Sequence, residues 1–222
     1  MLTKKHLALL SVGASLSFWD IFNVPYIENY ASATIGQLSS TLILASEMLG
    51  YVAGGIINGA ISTRFGRKNG LIASMLFIFL GSLLGFLSSS VPELLVSEFV
   101  IGMGIEGEIA VVPAYVSEMT APEFRGRAVG ITSLGGFLMS LVVGPVAVYL
   151  GEDQWKLLFV PSILISALAL VTRLWFPESR MWVEKRKEPL KFDRSVAVFL
   201  VVWFASYFTG YALFATPVFN LI

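Results

Sequence analysis

Five carboxylates sit where carboxylates are costly. Asp20, Glu47, Glu98, Glu106 and Glu108 all fall inside long apolar runs of the sequence, whereas Lys and Arg enter such runs only near their ends. An ionised acid at the centre of a lipid bilayer costs at least about 2.5–3.5 kcal/mol on insertion scales. Each of these five must therefore be protonated, hydrated in a cavity or paired with a cation. All three outcomes point to a pathway for protons or for a cationic substrate. The competing reading is that some of the five only hydrogen-bond between helices, and it is strongest for Glu47 and Glu106. Asp20 is set among Phe18, Trp19, Ile21 and Phe22, and at about 1.5 Å per residue it lies at a depth similar to that of Glu47. The chain has no cysteine, and its one histidine, His6, reads as a solvated residue of the basic N-terminal segment. No Ser–His or metal-ligand cluster can be assembled within the apolar runs, so the sequence reads as no enzyme, with no metal and no cofactor.

The elements that must position these acids follow from composition. Of 222 residues, 56% are apolar and 14% charged, with a mean hydropathy of +0.78. Soluble proteins carry about 25% charged residues, so the solvent for the apolar surplus is lipid. Bilayer-length runs occur at Leu7–Tyr26, Leu38–Ser62, Leu71–Leu87, Leu94–Ser117, Ala128–Leu150, Leu157–Phe176 and Ser195–Ile222. Threading these as seven crossings places every one of the fifteen Lys and Arg on one side except Lys156. One missed span would transfer all later loops to the wrong side. The positive-inside rule then predicts a multi-pass protein of the cell membrane with a cytoplasmic N-terminus. Trp155, Trp175 and Trp182 fall near span ends, as interfacial anchors do. Net charge is zero, so the total shows no excess for binding a polyanion, and nucleic acid is not an expected partner.

The polar stretch at 177–194 reads as a cytoplasmic linker. It divides a six-helix transmembrane bundle at 1–176 from a seventh transmembrane helix at 195–222. In lipid, helices associate through close packing at small residues, so Gly50, Gly54, Gly55 and Gly59 in the second run, and Gly81 and Gly85 in the third, are expected to mark helix contacts.

Three loops carry further chemistry. After the second run stand Gly59, Arg64, Gly66, Arg67 and Lys68. After the fourth come Pro113-Ala-Tyr115-Val-Ser117-Glu118, then Arg125-Gly126-Arg127. After the sixth comes Pro177-Glu178-Ser179-Arg180-Met181-Trp182.

In the order and spacing of these motifs the chain resembles the major facilitator superfamily, and within it the sugar porter and organic-ion branches. The second-to-third loop is similar to G-x-x-x-D-R-x-G-R-R, the fourth-run exit to P-x-Y-x-S-E followed by R-G-R, and the sixth-run exit to P-E-S-P-R-W. The resemblance implies an all-α membrane protein: the N-terminal six-helix half of a major facilitator fold plus a seventh helix. It also implies a secondary transporter working by alternating access on a small metabolite (sugar, organic acid or organic cation), with proton symport. By the same resemblance Arg64, Arg67, Glu118, Arg125, Arg127 and Glu178 would form an ionic latch at the inner gate, and Asp20 would carry the coupling proton.

Departures from the pattern are specific. Thr63 stands at the signature's aspartate position, so one latch contact should be weakened or remade. Glu98 occupies the position of the arginine that the family pairs with the first-span aspartate, so Asp20 and Glu98 are expected to share a poorly solvated space. Glu106 stands at a glycine position, and Glu108 matches an acid of the organic-ion branches. The superfamily has twelve spans, so the expected product is part of a truncated or split gene, partnered by a separate C-terminal half or, less readily, by a second copy. The alternative is a non-transporting membrane subunit or remnant of such a carrier.

Overall fold

The computed structural model describes residues 4–36 and 40–185, together with 194, 197, 198, 201, 202 and 205. The predicted seventh helix at 195–222 thus lies almost wholly outside the described residues. The chain divides into two units, Met1–Arg186 and Lys187–Ile222, the first of which contains the six-helix bundle.

Six long elements follow the apolar runs and extend most of them. They are α1 (Lys4–Ile35), α2 (Ser40–Arg64), α3 (Arg67–Leu87), α4 (Val91–Met119), α5 (Arg125–Leu150) and α6 (Val160–Arg173), the last preceded by a 3-10 segment, Glu152–Phe159. A short α7 (Arg180–Lys185) comes after them. No strand occurs among the described residues. Five stretches are long and apolar enough to cross a membrane on length and composition: Lys4–Ile35, Leu42–Arg64, Arg67–Leu87, Pro122–Leu150, and the 3-10 segment joined to α6, Glu152–Arg173. The helix not among the five is α4, 29 residues long, which carries Glu98, Glu106 and Glu108.

Its position in the bundle explains how α4 carries them. It is the central helix, packed along both α2 and α3, while α1 lies along α5. Glycines set the closeness of these crossings. A methyl group on Gly54 would come within 2.5 Å of the Met103 Cα, one on Gly81 within 2.7 Å of the Ile101 nitrogen, and one on Gly104 within 2.7 Å of the Ile78 nitrogen. Gly50, Gly54 and Gly81 are thus helix contacts, as expected, and Gly85 fits against the Phe159 ring. Gly59 has nothing within 4 Å of where its Cβ would stand. Outward, Leu49, Val52 and Ile56 of α2 and Leu141 and Val148 of α5 are exposed, which forms an apolar surface for lipid.

Two apolar cores fill the bundle. One joins Leu16, Trp19, Ile27, Ile78, Ile101, Ile105 and Phe159; the other, at the end bearing the basic loops, joins Leu10, Leu71, Val112, Tyr115, Met119 and Phe176. His6 departs from its expected place in a solvated tail: α1 already begins at Lys4, and the His6 ring meets Phe176 edge-on at 5.1 Å. The three tryptophans also differ. Trp175 is 74% exposed, as an anchor would be, but Trp155 is buried and donates to Thr34 Oγ1 at 3.0 Å. Trp182 donates its indole N–H to the Thr63 carbonyl at 2.8 Å.

Candidate functional site

The five buried acids separate into three environments. Asp20 (α1), Glu47 (α2) and Glu98 (α4) form one group, each at most 2% exposed and near enough to act on the others as like charges. Asp20 Oδ1 accepts from Ser162 Oγ of α6, and Glu47 Oε1 accepts from Tyr51 Oη at 2.7 Å. Asp20 Oδ2 and Glu98 Oε1 are buried without a hydrogen-bond partner. No lysine or arginine pairs with the group among the described residues. Nor do three acids, histidines or cysteines converge as a metal site there. The same face of α1 also buries Ser17 and Asn23, one turn to either side of Asp20, and Ser17 Oγ and Asn23 Nδ2 are unpartnered too. A buried polar atom without a partner is costly, and four such atoms, on Ser17, Asp20, Asn23 and Glu98, occur in this region.

Glu108, ten residues further along α4, has a different solution. Arg173 of α6 grips both its oxygens, Nη1 to Oε1 at 2.5 Å and Nη2 to Oε2 at 2.6 Å, and Nη1 also donates to the Leu71 carbonyl of α3 at 2.6 Å. Both side chains are 1% exposed. In the sequence Arg173 reads only as one of the basic charges near the loops, and nothing there pairs it with Glu108. The available signal was its position inside the apolar run Leu157–Phe176, with Leu174, Trp175 and Phe176 still beyond it. Glu106 belongs to neither group: it is half-buried, and its side chain lies over Gly55 of α2.

A second polar assembly occupies the end bearing the basic loops. Arg67, at the start of α3, donates to Glu118 near the end of α4 through Nη2 (2.8 Å to Oε1) and Nε (3.0 Å to Oε1, 3.2 Å to Oε2). Arg67 Nη1 reaches Ser62 Oγ at 3.1 Å, and Ser179 Oγ donates to Glu118 Oε2 at 2.5 Å. Glu178 Oε1 accepts from the backbone N–H of Lys68 at 3.2 Å and of Ser179 at 2.7 Å, while Lys68 Nζ donates to the Leu174 carbonyl at 2.6 Å. Tyr115 Oη adds a bond to the Pro177 carbonyl at 2.5 Å.

Gly66 makes this closeness possible, because its φ is +113°, where only glycine is comfortable, and the Glu178 carboxylate occupies the space a Cβ would need. Beside Thr63, Ser62 Oγ accepts from Arg67 Nη1, and the Thr63 backbone carbonyl accepts from Trp182. Of the expected latch residues, Arg67, Glu118 and Glu178 come together, joined by Gly66 and Lys68 of the same loop motif. Arg64 and Arg127 are exposed, Arg125 donates only to the Thr120 carbonyl at 3.3 Å, and none of the three forms an ion pair among the described residues. Gly59 stands apart as well.

Comparison with known proteins agrees with this architecture. The family model described as "Sugar (and other) transporter" matches residues 10–200. A myo-inositol transporter 3A of Cryptococcus neoformans var. grubii is 29% identical over 150 residues, covering 66% of this chain and 25% of that protein. A human proton myo-inositol cotransporter is 29% identical over 164 residues, covering 72% and 25%. The xylose transporter XylE from E. coli, in a partially occluded inward-open conformation, superposes with a TM-score of 0.71 at 20% identity, over 82% of this chain and 51% of that one. The chain thus spans a quarter of the length of these two curated relatives and about half of that structure.

Proposed function

The chain belongs to the sugar (and other) transporter family, and from that premise we propose that it forms one half of a proton-coupled secondary transporter moving a small polar metabolite by alternating access. The observation that carries this reading is the Asp20–Glu47–Glu98 group, buried together with no cation beside it among the described residues. Like charges in a poorly solvated space cannot all ionise cheaply. Protons are therefore retained while the group is sealed and released when a conformational change lets water in. Glu98, standing where the family places an arginine, removes the fixed counter-ion and leaves protons as the means of neutralising Asp20.

The Arg67–Glu118–Ser179 assembly serves as the gate lock. It ties the α2–α3 link, the end of α4 and the segment after α6 at one end of the bundle, the end that the basic loops assign to the cytoplasm. A lock of this kind biases access only if its contacts differ between the two states. The transported molecule is a neutral polyol or sugar, in keeping with the names of the relatives. Its site lies between this bundle and a second six-helix half.

The test is uptake of labelled myo-inositol and xylose by cells co-expressing this chain with the C-terminal half of a matching sugar porter. Accumulation should require an inward proton gradient and collapse with a protonophore. Uptake that equilibrates without responding to the gradient would reject the coupling, and no uptake of any polyol or sugar offered would reject the transporter reading.

A further inference from the structure

Arg173 meets four helices at one point: its own α6, Glu108 of α4, the Leu71 carbonyl of α3, and Gly13 of α1, where an added methyl would lie 2.7 Å from Nη2. Ser162 lies eleven residues earlier on α6, about 16 Å away along the axis and only about 20° away around it. Ser162, Ser166, Ala169 and Arg173 are the buried residues of α6, so one stripe faces the bundle with a polar attachment at each end. The facing stripe on α1 matches it in reverse order. Gly13 abuts Arg173, and Asp20, two turns on, accepts from Ser162. Both attachments depend on the same rotation and height of α6.

We propose that Arg173 is a positioning residue for the proton-binding carboxyl group. By holding Glu108 and the Leu71 carbonyl, it fixes the register of α6 and so keeps Ser162 on Asp20. The proposal rests on the reading of Asp20 as a proton carrier for its functional meaning, but the positional linkage is a property of the bundle and can be measured without transport. The charged groups facing Asp20 are Glu47 from α2 and Glu98 from α4. Among the described residues α5 offers charges only at Arg125 and Arg127, α6 only at Arg173, and the 3-10 segment only at Glu152, Asp153 and Lys156. Removing Glu108 and Arg173 together leaves the net charge unchanged, so a change in Asp20 in that double variant reports Ser162 or the packing of α4 rather than the loss of one charge.

The experiment follows the protonated-carboxyl infrared band of Asp20, assigned as the band lost in Asp20→Asn, against pH in the complete 222-residue chain in lipid nanodiscs. Ser162→Ala sets the direction and size of the effect of losing the hydroxyl. Because Arg173→Met alone leaves a buried carboxylate unpaired, the pair is removed together as Glu108→Gln with Arg173→Met. Gly13→Ala is the independent variant, since its methyl displaces the guanidinium without altering any charge. Both should move the midpoint in the same direction as Ser162→Ala, by about threefold or more in proton affinity. Midpoints unchanged in both variants while Ser162→Ala shifts would overturn the proposal, as would an unchanged midpoint in Ser162→Ala itself. A shift as expected in a chain whose half-transporter shows no proton-driven uptake would leave this linkage standing and reject the transport reading instead.

Discussion

Two glycines five residues apart on α2 should respond to the same substitution with opposite signs. A methyl at Gly54 would stand 2.5 Å from the Met103 Cα and 2.7 Å from the Met103 carbonyl carbon. Those atoms belong to the α4 backbone and cannot rotate away, so Gly54→Ala must push α2 and α4 apart. Overpacking of this kind costs about 1–3 kcal/mol. At Gly59 nothing lies within 4 Å of the new methyl. Gly59→Ala there only removes the backbone freedom that makes glycine unfavourable in a helix, and stabilises by about 0.5–1 kcal/mol. For a chain of this size about 2–4 °C corresponds to 1 kcal/mol. Thermal denaturation of the purified chain in detergent should thus show Gly54→Ala melting lower by about 2–12 °C and Gly59→Ala higher by about 1–4 °C. If the two variants shifted in the same direction, or if Gly54→Ala were neutral, the tight α2–α4 crossing would be refuted, and with it the central place of α4.

The polar assemblies yield three more expected outcomes. Arg67→Ala removes every ionic contact of Glu118 and should raise the reactivity of a cysteine at Ser179 towards a water-soluble maleimide severalfold, whereas Arg127→Ala should leave it unchanged; equal effects would deny Arg67 its special place. Cysteines introduced at Lys4 and Glu152 should label from opposite faces of sealed vesicles with an impermeant reagent, Lys4 from the cytoplasmic face, and labelling from one face would defeat the charge-based orientation. Glu108→Gln alone should destabilise the bundle by about 3–5 kcal/mol, because it leaves Arg173 buried without a counter-charge, while the double change Glu108→Gln/Arg173→Met should recover most of that loss in the same melting assay.

Much of the bundle was legible because hydropathy acts on segments. A helix crossing lipid needs its apolar residues in one continuous run, and the first six runs each became a helix. Where several helices had to be considered together, the sequence said less. The five acids look alike along the chain, yet Glu108 finds Arg173 across 65 residues, Glu106 rests on Gly55, and only Asp20, Glu47 and Glu98 gather. Nothing in the spacing along α4 separates those outcomes, because they depend on which neighbouring helix faces each side. Arg173 was hidden by its place one turn from a loop, where an arginine reads equally as a loop charge. Thr63 shows the same limit: its departure from the motif is visible in the sequence, but the contacts around it, Ser62 with Arg67 and the Thr63 carbonyl with Trp182, are not. Gly59 marks the converse case, a motif position where an added methyl would meet nothing within 4 Å among the described residues.

The central claim is that Asp20 exchanges the coupling proton in a group with no fixed cation. Its most direct measurement is the pH dependence of sugar or polyol accumulation by Asp20→Asn, with this chain paired with a C-terminal half. The variant should lose gradient-driven accumulation at every pH while still exchanging labelled for unlabelled substrate across the membrane. Accumulation that kept the wild-type response to the proton gradient would contradict the account and make Asp20 a packing residue.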